Sequence, residues 1–224
     1  MRRPTRHHLQ HRRSTTRSPS QSLTDTPNHS ITKCHCSTKR IPRRIPDKLF
    51  NELFAGLTHN RDRALLAFWV STAARAEELL SVAQQHADPG EQVIGVTRRG
   101  SEVFQWLPAS PDAFVWLRLY QEELWCKGSP RGRTKPLWCT LRRPWRPFTY
   151  PAGRAMLIRT QAMLGSNYSL HDLRHTGAYR MAQDPEMPIT DVQSILGHAS
   201  LSTTQIYTNH QELHQAGDDL QVAC

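Results

Sequence analysis

The stretch His171-Asp172-Leu173-Arg174-His175-Thr176, followed by Leu196-Gly197-His198-Ala199 and then by Thr203-Thr204-Gln205-Ile206-Tyr207-Thr208, decides how this chain folds. A His and an Arg three residues apart on a helix share one face. Such a face can hold a pair of phosphate oxygens from two directions. Taken singly, a helical His-x-x-Arg is usually a surface pair, and one Tyr at a helix end is usually core or rim. In this order and at this spacing, the three stretches point instead to one shared site.

Apolar spacing predicts helices over about 170–183, 190–196 and 203–207 around these residues, and another over about 152–164 before them. Further back, Asp47 follows Pro46 and can cap a helix whose Leu49, Phe50, Leu53, Phe54 and Leu57 recur at helical spacing. A second helix is expected over about 61–72, and Arg75-Ala76-Glu77-Glu78-Leu79-Leu80 continues helically until Asp88-Pro89-Gly90 breaks the chain. Two short runs, 92–96 and 102–107, read as a β-hairpin with Arg98-Arg99-Gly100-Ser101 at its turn. Ser110 and Pro111 then supply an N-cap and a first-turn proline for a helix to about residue 125, whose Phe114, Leu117 and Leu124 can face a core. The expected fold class is mainly α with a small antiparallel β-hairpin, an α+β domain over residues 46–210. It lies between a basic tail, 1–45, and a C-terminal tail, 211–224.

Charge divides the chain in the same way. The net charge is +10, yet residues 1–46 hold eleven Arg and Lys against one acid while the remainder holds eighteen of each sign, so the whole excess sits in the tail. That tail is rich in His, Ser, Thr and Pro and nearly free of aromatic or branched apolar side chains, a composition that cannot bury enough surface to offset ordering entropy; it is expected to be disordered. Within the neutral remainder, residues 127–159 carry nine basic side chains and no acid. A polyanion partner is implied, with Arg131, Arg133, Lys135, Arg142, Arg143 and Arg146 as expected contacts, the more so because Trp138, Trp145 and Phe148 are interleaved with them. The longest apolar run is Ala64 to Val70, far too short to cross a bilayer, and no apolar region follows the basic N-terminus as a secretory signal would need. Five cysteines at irregular spacings form no disulfide framework, which suits a reducing cytoplasm.

The joint pattern resembles the tyrosine recombinase, or phage integrase, family, whose catalytic domain carries in order Arg, Lys, His-x-x-Arg, His or Trp, and a nucleophilic Tyr. Its first motif is similar to Ala74-Arg75-Ala76-Glu77-Glu78-Leu79, after Ser71-Thr72-Ala73. The His-x-x-Arg box is similar to His171 and Arg174, the Leu-Gly-His box to His198, and the nucleophile to Tyr207, nine residues on. The resemblance covers about residues 42–210 and departs at one position, where the family's hairpin lysine aligns with Arg99 before Gly100. What it implies is a mainly helical catalytic domain that cleaves and rejoins double-stranded DNA through a 3′-phosphotyrosyl link, without cofactor or metal, as a homo-oligomer, a tetramer, on DNA. It also implies a helical core-binding domain before the catalytic one; residues 1–46 lack the periodicity such a domain would show, so that half of the clamp is expected to be absent, replaced or truncated.

The residue types suit this chemistry on physical grounds. A side-chain oxygen attacking a phosphodiester builds negative charge on the non-bridging oxygens, which the guanidinium forks of Arg75 and Arg174 can pair bidentately. His171 and His198 can donate further hydrogen bonds or shuttle protons, and Tyr207 can conserve the bond for rejoining as a phosphotyrosine. A lysine releases a proton to the departing 5′ oxygen far more readily than an arginine. Arg99 is therefore expected to stabilise charge, with Arg98 beside it on the DNA and proton donation falling to a histidine or water. Two rivals stand beside this reading. One is a metal hydrolase, suggested by His7-His8, Cys34-His35-Cys36 and the His171/His175 pair, though no zincin Glu follows the first His of that pair. The other is a truncated or decayed recombinase that binds DNA without cutting it.

Binding governed by phosphate contacts should weaken steeply with salt. Deleting residues 1–40 is expected to lower affinity about equally on all duplex sequences and to flatten the salt slope. Filter binding on two unrelated duplexes over a salt series checks this, and loss of a preference for one sequence would instead make those residues a specific reader.

Overall fold

The computed structural model describes residues 42–208. Most of the expected tail 1–45, and all of the tail 211–224, lie outside these residues. Residues 42–45 correct the tail's expected boundary, because Ile45 is buried and its N–H donates to Thr176 Oγ1 at 2.9 Å. Arg43 and Arg44 beside it lie over the rings of Tyr168 and Tyr179. An apolar side chain with a satisfied backbone anchors the entry to the domain.

Among the described residues, eight α-helices and one small sheet follow. Helix α1 is Asp47–Ala55, α2 is Asn60–Thr72 and α3 is Ala76–Leu80. The sheet comprises β1, Ala87–Asp88, β2, Val93–Thr97, and β3, Phe104–Pro108, all antiparallel in the order β1-β2-β3. The hairpin register pairs Val93 with Pro108 and Thr97 with Phe104. Then come α4, Pro111–Cys126, α5, Tyr150–Gln161, α6, Leu170–Gln183, α7, Ile189–Leu196, and α8, Leu201–Gln205. The mainly helical fold with a small antiparallel sheet is the one the sequence implies. Strand β1 was not expected: two residues long and next to Asp88-Pro89-Gly90, it looks like a turn until β2 offers it a partner, with Ala87 opposite Ile94.

Helix α2 is the centre of the packing. Its Ala64, Leu65, Phe68 and Trp69 are all without solvent contact, so it is apolar on more than one face, as a helix covered by neighbours must be. Phe68 meets Phe114 of α4 edge to face at 5.0 Å and Trp138 at 5.8 Å. On its other side α2 is crossed by α6, where a Cβ added at Gly177 would stand 2.5 Å from the Val70 carbonyl oxygen, so only glycine lets the two backbones approach this closely.

The basic connection between α4 and α5 departs from expectation in its aromatics. Trp138 is fully buried, stacks on Tyr120 and donates its indole N–H to the Leu79 carbonyl at 2.8 Å; Phe148 is buried beneath the guanidinium of Arg61 at 3.8 Å. Trp145 is half-buried against the same core. These rings fasten the loop to the domain and are not offered to a polyanion. Interleaving with charges misled because a loop that carries many cations still needs apolar anchors.

Gly177→Ala is expected to destabilise the domain by about 1–3 kcal/mol through overpacking between α2 and α6. Urea unfolding checks it, and an unchanged midpoint would show that the crossing has room.

Candidate active site

The site begins where α2 stops. Thr72 turns its hydroxyl back to the Phe68 carbonyl at 2.6 Å, and Ala73 takes a left-handed conformation at φ 48°, which costs a non-glycine residue about 1–2 kcal/mol. This bend sets the Ala73 carbonyl facing Arg174 and starts α3 at a new angle, with Arg75 at its N-cap. One turn on, Glu78 is 1% exposed, and its two carboxylate oxygens accept four bonds. They come from the Arg75 N–H at 3.1 Å, Arg75 Nη1 at 2.9 Å, Arg98 Nη1 at 3.0 Å and the Arg99 N–H at 3.2 Å. Burial alone would raise this carboxyl; the Arg75 bonds, the Arg98 charge and the Arg99 N–H hold it below its ordinary value instead. One carboxylate thus fixes both the first arginine of the site and the hairpin turn.

The second half hangs on α6 and the end of α7. Ser169 caps α6 in a reciprocal box with Asp172, which sets the phase that buries Arg174, half-buries His175 and leaves His171 exposed at the mouth of the site. Arg174 is 3% exposed and donates Nη1 to the Ala73 carbonyl at 2.7 Å and Nη2 to the Leu196 carbonyl at 2.8 Å. Arg98 donates to the neighbouring Ile195 carbonyl and, through Nε, to Gln105 at 2.8 Å. The last carbonyls of α7, which have no partner within the helix, are therefore held by two guanidinium groups. Gly197 ends α7 at φ 63°, with the Arg98 guanidinium only 3.3 Å from where a Cβ would sit. The chain turns there to deliver His198, whose Nε2 is 3.4 Å from Arg174 Nη2 and whose Nδ1 is 3.0 Å from Thr204 Oγ1. Tyr207, just past α8, is 5% exposed in a small core with Ala73, Ala178, Met181, Val192 and Leu196. Its hydroxyl is 2.7 Å from His175 Nδ1.

Arg75, Arg99, His171 and Arg174 line one cleft of about 160 Å³, closed by Glu77, Tyr150 and Leu170. Five sequence-expected residues are therefore gathered around one anion-sized space, if His198 is counted through its contact with Arg174. Tyr207 does not line the cleft and lies beside it, with its oxygen turned to His175.

The chain aligns over residues 45–214 with the model of the phage integrase family. The chain belongs to that family. Among similar proteins are the tyrosine recombinase XerC of Pseudomonas putida, 30% identical over 191 residues (80% of this chain and 59% of that protein), and XerD of Pasteurella multocida, 24% identical over 202 residues (81% and 67%). XerC of Chlamydia pneumoniae is 25% identical over 173 residues, 69% of this chain and 51% of that protein. The chain thus spans about half to two thirds of the length of these relatives. The XerA recombinase superposes with a TM-score of 0.65 at 22% identity, covering 81% of this chain and 67% of that one. XerH, solved bound to its palindromic difH substrate, gives 0.64 at 20% identity over 81% and 54%. These likenesses place the helical domain and its hairpin among integrase-family catalytic folds.

Two expectations for this integrase-family domain change with the coordinates. Arg98 is 5% exposed, its Nε, Nη1 and Nη2 each donate within the domain, and it does not line the cleft, so it braces the hairpin against α7 where a DNA contact was expected. Arg174 lines the cleft, but each terminal nitrogen already gives a hydrogen to a carbonyl and Nη2 also lies 3.4 Å from His198 Nε2, so only part of its fork is open to a phosphate. By contrast the Arg99 side chain is exposed and, among the described residues, forms its ion pair with Glu77 at 2.8 Å, a surface pair worth about 0–1 kcal/mol, so its guanidinium is able to turn toward an anion. Arg131, Arg133, Lys135, Arg142, Arg143 and Arg146 are exposed on the loop between α4 and α5, and none lines the cleft. Arg131 lies over Trp125 and Arg143 donates to the Lys127 carbonyl, contacts that leave charge facing solvent. Glu78 is the site residue that sequence reasoning passed over, though a carboxylate inside the apolar Leu79-Leu80 turn was its signal; His175 was read only as half of a metal-ligand pair, and nothing in the sequence links it to Tyr207.

Burial, reinforced by neighbouring groups, sets the protonation states. Burial, and then Arg75, brings Arg174 down to about 10, which still leaves it charged at neutral pH. Burial and then Arg174 lower His171; burial and then Arg174 and Arg75 hold His198 at about 4; burial and then His171 hold His175 at about 4. Burial raises Tyr207. Both of the strongly shifted histidines are neutral at pH 7.

For these two groups the folded value lies below the unfolded value of about 6.5. The unfolded chain then binds more protons between pH 6.5 and 4, so stability falls as the solution is acidified through that window. Denaturant midpoints measured from pH 7 to 4 should drop, and the drop should be shallower in His175→Gln; identical slopes would show that His175 titrates normally.

Proposed function

We propose that this chain cleaves and rejoins double-stranded DNA at specific sites, with Tyr207 as the nucleophile and a 3′-phosphotyrosyl link as the intermediate. The observation that carries the reading is the gathering of Arg75, Arg99, His171 and Arg174 around one small cleft, beside which the buried Tyr207 oxygen is fixed. Guanidinium groups on several sides of a phosphate neutralise the charge that builds on its non-bridging oxygens in the transition state, and they do so without reorganising when they are already held in place. Arg75 is held by Glu78, and Arg174 by two carbonyls. Arg99 supplies a third cation where the family has a lysine. It stabilises charge and does not act as the acid; with His171 and His198 neutral, the departing 5′ oxygen takes its proton from water.

Neutral His171 and His198 fit hydrogen-bond donation to phosphate oxygens without adding further repulsion to a site that already holds three arginines. Exposed cations on the loop between α4 and α5 would meet the DNA backbone away from the scissile phosphate, contributing affinity that is salt-sensitive and blind to sequence. A homo-oligomer on DNA, a tetramer, follows from pairing of cleavage events on two duplexes. The charge in this mechanism is met by side chains, so the reaction does not call on a metal.

Tyr207→Phe keeps the ring in its core and removes only the phenol oxygen. It is expected to retain DNA binding and to form no covalent adduct on a nicked suicide duplex, read on a denaturing gel, while the native chain forms an adduct that EDTA leaves unchanged. An undiminished adduct in the variant would overturn the nucleophile, and activity lost with EDTA and restored by zinc would favour a metal hydrolase. DNA binding by the native chain without any adduct would make it a binder alone.

A further inference from the structure

The Tyr207 hydroxyl and Nδ1 of His175 are 2.7 Å apart, at the short end of hydrogen-bond lengths. His175 follows Arg174 directly on α6. Its ring is tilted by 44° to the Tyr207 ring at 5.8 Å and stands edge-on to His171, a residue of the cleft wall, at 4.3 Å. The charged and titratable groups around it are His171, Asp172 and Arg174 from its own helix, His198 from the turn after α7, and Tyr207 itself. His198 is differently engaged: it stacks nearly parallel to the Tyr207 ring at 6.4 Å and turns its nitrogens to Arg174 and Thr204.

We infer that His175 is a catalytic residue, the base that fixes the Tyr207 oxygen and takes its proton as that oxygen attacks phosphorus; this rests on Tyr207 being the nucleophile. The Tyr207 O–P bond forms and the P–O5′ bond breaks. The phenol proton passes to Nδ1, which requires the tautomer with hydrogen on Nε2. The imidazolium releases that proton to water, and the 5′ oxygen takes one from water, so protons balance over the step. On rejoining, the phenolate recovers its proton by the reverse path. Burial makes such a base necessary, because it disfavours a free phenolate. The same burial keeps the imidazole neutral with its lone pair available, and an anionic phosphodiester entering the cleft next to His171 makes the imidazolium easier to form.

His175→Asn provides the test, since its side-chain amide can keep a hydrogen bond near the Nδ1 position yet has no useful basicity. On the suicide duplex, adduct formation by His175→Asn is expected to slow by about 10²–10⁴-fold with DNA retention unchanged. Replacing Tyr207 by 3,5-difluorotyrosine, a more acidic phenol, should restore much of that loss in His175→Asn while changing the rate of the native background little. Native-like rates in His175→Asn, or a loss that the acidic phenol does not relieve, would overturn the assignment and leave His175 a packing residue. Absence of any adduct from the native chain would overturn the nucleophile reading and this one together, whereas a native adduct with an unimpaired His175→Asn would overturn this one alone.

Discussion

Glu78 holds the two ends of the site in register. A carboxylate this deeply buried is costly unless every lone pair is met, and here two arginine side chains and two backbone N–H groups converge on it from two chain segments. Arg75 is thereby fixed at the start of α3, and the hairpin turn is drawn in until Arg99 stands over the cleft. Arg98, held by the same carboxylate, reaches on to the end of α7, and Arg174 grips the next carbonyl of that helix. Four elements, α3, the hairpin, α6 and the end of α7, are thus tied together by buried charge. In such a network every partner is needed, because removing one leaves an uncompensated ion.

The helical framework was readable because its signals are local. The Ser110-Pro111 start and the apolar spacing of Leu49 to Leu57 each act within a turn or two, and the elements they imply are both present. Most of the site was readable for a different reason, the order and spacing of Arg75, His171, Arg174, His198 and Tyr207. What was hidden depends on partners distant in sequence. Arg98 and Arg99 are neighbours in a basic turn, and nothing in that turn says that one is buried against Glu78 while the other is exposed. Trp138 looks like part of a basic patch until Leu79 and Tyr120 are brought to it. The role of His175 is set by a hydroxyl thirty-two residues away.

Positive charge at this density is a standing strain on the fold. Burial lowers Arg98, Arg174 and His198, and the nearby Arg75 charge adds to the depression of each, with Glu78 as the buried counter-charge. A phosphate entering the cleft would relieve part of that repulsion. Pre-organised sites commonly show this arrangement, in which a binding surface is less comfortable empty than occupied.

The double engagement of Arg174, in the cleft and on the carbonyls of Ala73 and Leu196, has a consequence for how such a domain would drift over generations. On the proposed function, a lineage released from selection for strand cleavage would still be selected to keep Arg174, Arg98 and Glu78, because losing any of them exposes a buried charge or a helix end. The phenol oxygen of Tyr207 and the exposed Arg99 are under no such obligation: a phenylalanine would fill the same core, and the Arg99 side chain touches little but Glu77. In a descendant of this chain, those two positions would therefore record abandonment of the chemistry first, long before the arginines did.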